Sequence, residues 1–176
     1  QMQAAFQVRL GQYQDAGQTF RGREGDIHVP VELAPAVVAV LGLDERPQAR
    51  AHFRMRDAGG QAAPAAAAVT PTSYPPQEVA RRYSFPTDAD GTGQTVAIIE
   101  LGGGYHQSDL HTYFTAQGLR TPRLTAVSVD GARNKPGDPA DGEVALDIEV
   151  IGAVAQGAAL AVYFAPNTTR GFYDGI

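Results

Sequence analysis

Residues 95–101 read TVAIIEL and are followed directly by three glycines at 102–104. A nearly continuous apolar run that ends in such a turn is typical of a strand buried on both faces of a parallel sheet. Strand-like and helix-like patterns alternate after it: we predict helices over residues 108–117 and 143–155, and strands over residues 124–129 and 159–164. The order β-α-β-α-β predicts an α/β fold with a parallel sheet and right-handed crossovers.

The chain ahead of this pattern has a different composition. Residues 57–73 read DAGGQAAPAAAAVTPTS, a small-residue stretch that cannot anchor a core, so we interpret it as a linker. It separates a unit at residues 1–56 from a unit at residues 74–176, which opens with a helix at Pro75 and Pro76. For the first unit we predict a small α+β piece, with strands at 6–10 and 27–29, turn glycines between them, and a short helix at 36–41.

Composition excludes several classes of function. The 176 residues include no cysteine, which removes disulfides, zinc–thiolate sites and thiol nucleophiles together. The four histidines lack metal-binding spacing, so no metal site is indicated. A formal net charge of −5 argues against nucleic acid as a partner, and no apolar run is long enough to predict a membrane span.

Three acids are candidates for chemistry. Glu143 and Asp147 stand four residues apart, one helical turn from each other, at the start of a helix that is apolar nearly all round. Mutual repulsion and burial should raise the pKa of one of them, and such a pair can act as a general base with an orienting acid. Glu100 ends the apolar strand at the edge where parallel sheets form sites.

Simpler interpretations of these acids stay open at this point. Acids in the first turn of a helix commonly face solvent near the positive end of its dipole. Glu100 is equally compatible with a structural acid bonded to backbone amides. The serines add no nucleophile, because Ser73, Ser84, Ser108 and Ser128 all lie outside any G-x-S-x-G turn. The acids therefore act on water, or the nucleophile lies elsewhere.

Several motifs in series resemble the sedolisin family of serine-carboxyl peptidases, in its kumamolisin-like branch. The motifs of the second unit are QTVAIIELGGGY at 94–105, VSVDGARN at 127–134, GEVALDIEVIG at 142–152 and AVYFAPNT at 161–168. In the first unit, FRGREG at 20–25, LGLDERPQAR at 41–50 and residues 52–54 resemble the end of the family's propeptide. The resemblance covers almost the whole chain.

The resemblance implies a subtilisin-like parallel sheet with helices on both faces, of which only the N-terminal elements are present. It implies that residues 1–56 are the C-terminal part of a propeptide, 57–73 a processing linker, and 74–176 the N-terminal part of the catalytic domain. By motif, Glu143 matches the general base, Asp147 the acid that orients it, and Glu100 an outer acid of the same network. A carboxylate base would stay competent in acid, where an imidazole is charged.

The same resemblance implies that the nucleophilic serine, the oxyanion aspartate and the calcium ligands of the complete enzyme lie beyond Ile176. The expected protein is then a secreted, acid-active endopeptidase precursor, inactive as this fragment unless its missing C-terminal part is supplied. Its expected partners are a peptide or protein substrate, that missing part, and the propeptide packed on the catalytic domain.

Two other functions remain alternatives. A propeptide-containing inhibitor or folding module would bind peptidase domains tightly without turnover. A carboxylate hydrolase that uses Glu143 and Asp147 on water, as glycosidases do, needs acids on either side of a bond. Two acids one turn apart on one helix are instead placed next to each other, on the same side of any bond that they could act on.

Overall fold

The computed structural model describes residues 1–15, 17–50 and 73–176. The linker predicted for residues 57–73 lies outside the described residues apart from Ser73, as does the motif at 52–54. The elements are, in chain order, α1 (Met2–Phe6), β1 (Arg9–Asp15), β2 (Gln18–Glu24), α2 (Pro76–Arg82), β3 (Thr95–Glu100), α3 (Gln107–Ala116), β4 (Arg123–Ser128), α4 (Asp141–Val154), β5 (Ala159–Phe164) and α5 (Thr169–Asp174).

The second unit has the α/β order that its sequence predicts. Strands β3, β4 and β5 form a parallel sheet in the order β3-β5-β4, so β5 lies in the middle. Each predicted helix and strand is present with its bounds shifted by two residues at most. The register aligns the last residues of the three strands, Glu100, Phe164 and Ser128, at one edge of the sheet.

The core lies between this sheet and two helices. Its buried apolar side chains come from β3, β5, α3 and α4: Ile98, Leu160, Val162, Phe164, Leu110, Phe114, Val144, Ile148 and Ala153. Helix α3 supplies Leu110 and Phe114 four residues apart, the spacing that places two side chains on one helical face. The burial of these side chains is what holds α3 and α4 on the sheet.

Two burial predictions for this unit were wrong. Strand β3 is buried on one face only, since Ile98 and Glu100 are buried while Ala97 is exposed and Ile99 half-buried. Helix α4, whose apolar residues on nearly all sides predict burial, is not buried all round. Leu146 is 43% exposed and Val150 is 41% exposed. An apolar sequence pattern shows which side chains can be buried. Which face of the strand or helix is covered depends on the elements that pack against it.

The first unit differs from its prediction. The predicted strand at 6–10 is instead the end of α1 followed by β1, and β1 pairs with β2 as an antiparallel hairpin. Gly11 and Gly22, predicted as turn residues, face each other within this hairpin. They are glycines because the ring of Tyr13 lies over them: a Cβ on Gly22 would come 2.7 Å from that ring.

The strand predicted at 27–29 and the helix predicted at 36–41 are both absent from this described part of the chain. Residues 31–36 form turns, in which the Val37 N–H donates to the Leu33 carbonyl oxygen. A six-residue apolar segment with three valines is too short and too β-branched to form a helix without packing partners.

Within the described ranges, no helix is both long and apolar enough to cross a membrane.

The close approach of α3 to α4 gives a stability prediction. A Cβ on Gly152 would lie 2.7 Å from the Phe114 ring and 2.9 Å from Pro122, inside a packed region. We expect Gly152→Val to lower the free energy of unfolding by about 1–3 kcal/mol through overpacking, measured by urea denaturation. Ala116→Val, at an exposed position of α3, is the control and should cost about 0.5 kcal/mol. Equal losses in both variants would contradict this account of the α3–α4 contact.

Candidate active site

The site lies at the edge where the three strands end. Glu100 is the last residue of β3 and is only 5% exposed, which makes it the one buried charged residue within the described ranges. Its Oε1 is buried and has no hydrogen-bond partner among the described residues. The backbone next to it is fixed, because the Ala165 N–H donates to the Glu100 carbonyl oxygen at 2.9 Å. A buried, unpartnered carboxyl oxygen is costly and marks a position that needs an explanation.

Glu143 and Asp147 lie in the first half of α4, and both are half-buried. Together with Glu100 they line one cavity of about 1110 Å³. The structure therefore brings the three candidate acids together at one cavity. No side-chain hydrogen bond joins these carboxyl groups in the part of the chain that the structure describes. The catalytic roles assigned to the three residues stay predictions.

Three further segments complete the wall of the cavity. They are the glycine turn after β3, the loop between β4 and α4, and the segment after β5, contributing Gly102, Gly103, residues 131–133, residues 135–140, Ala165, Pro166 and Asn167. Ala49 and Arg50 of the first unit line it as well. None of the four serines of the chain is among the lining residues, so the described residues supply no hydroxyl nucleophile at this site.

Asp141 fixes the start of α4, a role that the sequence analysis missed. Its Oδ1 accepts from the Gly104 N–H at 2.8 Å, and its Oδ2 accepts from the Gly137 N–H at 2.6 Å. One carboxylate thus joins the turn after β3 to the first residue of the helix that carries Glu143. The only sequence feature that points to this role is an acid at the start of a helix, and that feature is too common to identify a particular residue.

The glycine turn allows this close contact. Gly103 has φ +71°, a conformation that L side chains rarely adopt, and a Cβ there would lie 3.0 Å from the backbone of Ala140. Asn134 secures the next residue: its Oδ1 accepts from the Tyr105 N–H at 2.8 Å, and its Nδ2 donates to the Tyr105 carbonyl oxygen at 3.1 Å. The chain bends at residues 101 and 102, and the contacts of the glycines that follow place the end of β3 next to the start of α4.

Burial and like charge perturb these acids. Burial, followed by the charges of Asp147 and Glu143, raises the pKa of Glu100 from 4.5 to about 8. Burial, followed by the charge of Glu143, also raises the pKa of Asp147. The sequence-based expectation that one acid of the Glu143–Asp147 pair has a raised pKa is therefore confirmed in direction. Of these acids, Glu100 keeps its proton up to about pH 8 beside Glu143 and Asp147.

The cavity acids do not form a metal site. Within the described ranges, no group of three or more His, Asp or Glu side chains is arranged to hold a metal ion. The calcium expected from the family resemblance was expected to bind residues beyond Ile176.

Comparison with known proteins gives three relatives, whereas no family model matches the chain. The chain is 51% identical to kumamolisin from a Bacillus species over 98% of its residues. It is 29% identical to tripeptidyl-peptidase sed5 from Aspergillus fumigatus over 98% of its residues, and 29% identical to sedolisin from a Pseudomonas species over 97%. The chain spans only 30–32% of the length of these relatives.

The raised pKa of Glu100 predicts a pH-dependent stability. Because the folded pKa of about 8 exceeds the ordinary 4.5, this carboxyl stabilises the fold fully below about pH 4.5. That contribution is lost as the pH rises through about 8. Relative to Glu100→Gln, we expect the wild-type free energy of unfolding to fall by about 2–4 kcal/mol between about pH 4 and pH 9.

The measurement is urea unfolding across this pH range for both proteins. Glu32→Gln, which removes an exposed carboxylate, controls for the loss of one negative charge and should follow the wild type. If wild type and Glu100→Gln showed parallel pH profiles, the burial-induced proton on Glu100 would be refuted.

Proposed function

Because the chain is homologous over almost its whole length to peptidases of the sedolisin family, we propose that it is part of the precursor of a secreted, acid-active serine-carboxyl endopeptidase. In this proposal residues 1–56 belong to the propeptide, 57–73 to the processing linker, and 74–176 to the start of a subtilisin-like catalytic domain. The observation that carries the proposal is the location of Glu143, Asp147 and Glu100 at one cavity.

Glu143 is the general base in this proposal. It accepts the proton of a serine hydroxyl as the serine oxygen attacks the scissile carbonyl carbon, and it then gives that proton to the departing amine. Water next attacks the acyl carbon and gives a proton to Glu143. As the bond between that carbon and the serine oxygen breaks, Glu143 returns the proton to the serine oxygen and the acid product leaves. The four serines of the chain do not line the cavity, so the nucleophile is proposed to come from a part of the protein outside residues 1–176.

In this proposal Asp147 and Glu100 support Glu143 as the base. Burial and the charge of Glu143 raise the pKa of Asp147. In this proposal Asp147, one helical turn away, hydrogen-bonds to the Glu143 carboxyl group and orients it. Glu100 keeps its own proton up to about pH 8, which limits the negative charge in the cavity. A carboxylate base remains able to accept a proton at low pH, where an imidazole would be charged, which is the physical reason to expect activity in acid.

The alternative function is a non-catalytic inhibitor or folding module that binds a peptidase domain. The three relatives are peptidases or bear the family name, so the comparisons do not favour this alternative. Tight binding to an intact sedolisin, with no peptide hydrolysis by the complete gene product, would favour it.

The proposed function predicts the effects of single substitutions on catalysis. In the complete gene product that contains this chain, we expect Glu143→Gln to lower kcat/KM by about 100-fold or more at about pH 4, since general-base catalysis is lost. Asp147→Asn should cost about 10- to 100-fold, because the amide keeps a hydrogen-bond donor but cannot exchange a proton. The assay is hydrolysis of a quenched fluorescent peptide library.

Glu149→Gln is the matched control. Glu149 lies on the same helix, is half-buried and has a pKa raised by burial, but it does not line the cavity. Its substitution should leave kcat/KM within about twofold of the wild type. Full activity in Glu143→Gln would refute Glu143 as the base, and equal losses in Glu143→Gln and Glu149→Gln would refute a specific role for the cavity acids.

A further inference from the structure

Two basic side chains line the cavity that holds the three acids. Arg133 and Lys135 lie two residues apart in the loop between β4 and α4. Both residues are exposed, and neither forms an ion pair with a carboxylate of the described residues. The proposed mechanism gives these two positive charges no role, although they share the cavity with the residues that carry it.

The backbone that carries these side chains is fixed against the glycine turn. The Lys135 N–H donates to the Gly103 carbonyl oxygen at 3.3 Å. A Cβ on Gly104 would lie 2.6 Å from the Lys135 carbonyl carbon, so the loop packs directly on this turn. Asn134, which lies between the two basic residues, binds both the N–H and the carbonyl oxygen of Tyr105. The loop therefore holds the bases of both side chains at a defined place beside the cavity.

The other charged groups at this cavity do not neutralise the two cations. They are the acids Glu100, Asp138, Glu143 and Asp147 and the guanidinium of Arg50 from the first unit. Each of these acids lies beyond ion-pair distance of Arg133 and Lys135. Nearby acids of the first unit already have partners, since Asp44 pairs with Arg46 and Glu45 pairs with Arg21. The positive charge of the loop is thus available to a bound ligand.

We propose that Arg133 and Lys135 form a subsite of the cleft that binds an acidic side chain of the peptide substrate. This peptidase then prefers aspartate or glutamate over their amides at one substrate position. Lys and Arg side chains offer N–H donors and no acceptor, so a carboxylate matches them and a basic side chain is repelled. A carboxylate held in a cavity is less screened than one on an open surface, which strengthens the attraction. The inference rests on the proposed peptidase function and adds a substrate preference to it.

The pH dependence of this preference follows from the carboxyl group of the substrate. A glutamate side chain has an ordinary pKa of about 4.3, whereas Arg and Lys keep their positive charge throughout the acid range. The substrate carboxyl therefore becomes negative, and is attracted to the subsite, as the pH rises from about 3 to about 6. The acids of the cavity are the same in every variant compared, so a difference between variants isolates the effect of the two cations.

The test uses pairs of peptides that differ only by Glu or Gln at one position, placed in turn at each of about four positions on either side of the scissile bond. The enzyme is the complete gene product that contains this chain, and products of competing peptides are quantified by mass spectrometry. We expect one position at which the ratio of kcat/KM for Glu over Gln rises from about one at about pH 3 to about three- to tenfold at about pH 6.

Variants of the loop assign this ratio to the two cations. Arg133→Gln combined with Lys135→Gln should bring the ratio at about pH 6 to within about twofold of one, because both charges are lost. Arg133→Lys combined with Lys135→Arg keeps both charges and should retain most of the preference. Arg123→Gln is the matched control, since Arg123 is an exposed arginine at the start of β4 that does not line the cavity. It should keep the wild-type ratio at each pH.

Two results would overturn the inference while leaving the proposed function intact. One is peptide hydrolysis by the wild type with a ratio of Glu over Gln near one at every position and pH. The other is a preference that persists unchanged in the variant with glutamine at both positions. A complete gene product that hydrolyses no peptide would instead refute the proposed function, and this substrate preference with it.

Discussion

Burying a carboxyl group at the end of a strand costs free energy unless a hydrogen bond or an opposite charge offsets it. Glu100 has neither at its Oε1 within the described residues, and Asp147 and Glu143 add negative charge to the same cavity. The group avoids this cost by keeping its proton, which is why its pKa rises to about 8. The proton on Glu100 thus limits the negative charge that this cavity has to hold beside Asp147 and Glu143.

The relative positions of the acids depend on a short connection. The turn at Gly103 and Gly104 contacts the start of α4, where the Asp141 carboxylate accepts a hydrogen bond from the Gly104 N–H. This contact fixes the strand that ends in Glu100 relative to the helix that carries Glu143. A larger residue at position 103 would separate the two elements, so the glycine turn serves the geometry of the site and not the chain reversal alone.

Much of the second unit could be predicted from its sequence because local patterns and tertiary packing agree there. The apolar run at residues 95–101 and the helical spacing of Leu110 and Phe114 predicted a strand and a helix that the structure contains. The hairpin of the first unit could not be predicted, since Gly11 and Gly22 make room for the Tyr13 ring and form no turn. Asp141 was missed because its partner, the Gly104 N–H, is a backbone group distant in sequence, which spacing does not reveal.

The central claim, that packing forces Glu100 to hold a proton beside Glu143 and Asp147, is tested most directly by a carboxyl ¹³C NMR titration. Protein labelled at glutamate carboxyl carbons is compared with Glu100→Gln, which assigns the resonance of Glu100. The account predicts that this resonance titrates near pH 8, far above the ordinary 4.5. A Glu100 resonance that titrates near 4.5 would contradict the account, because the carboxyl would then be solvated as in an unfolded chain.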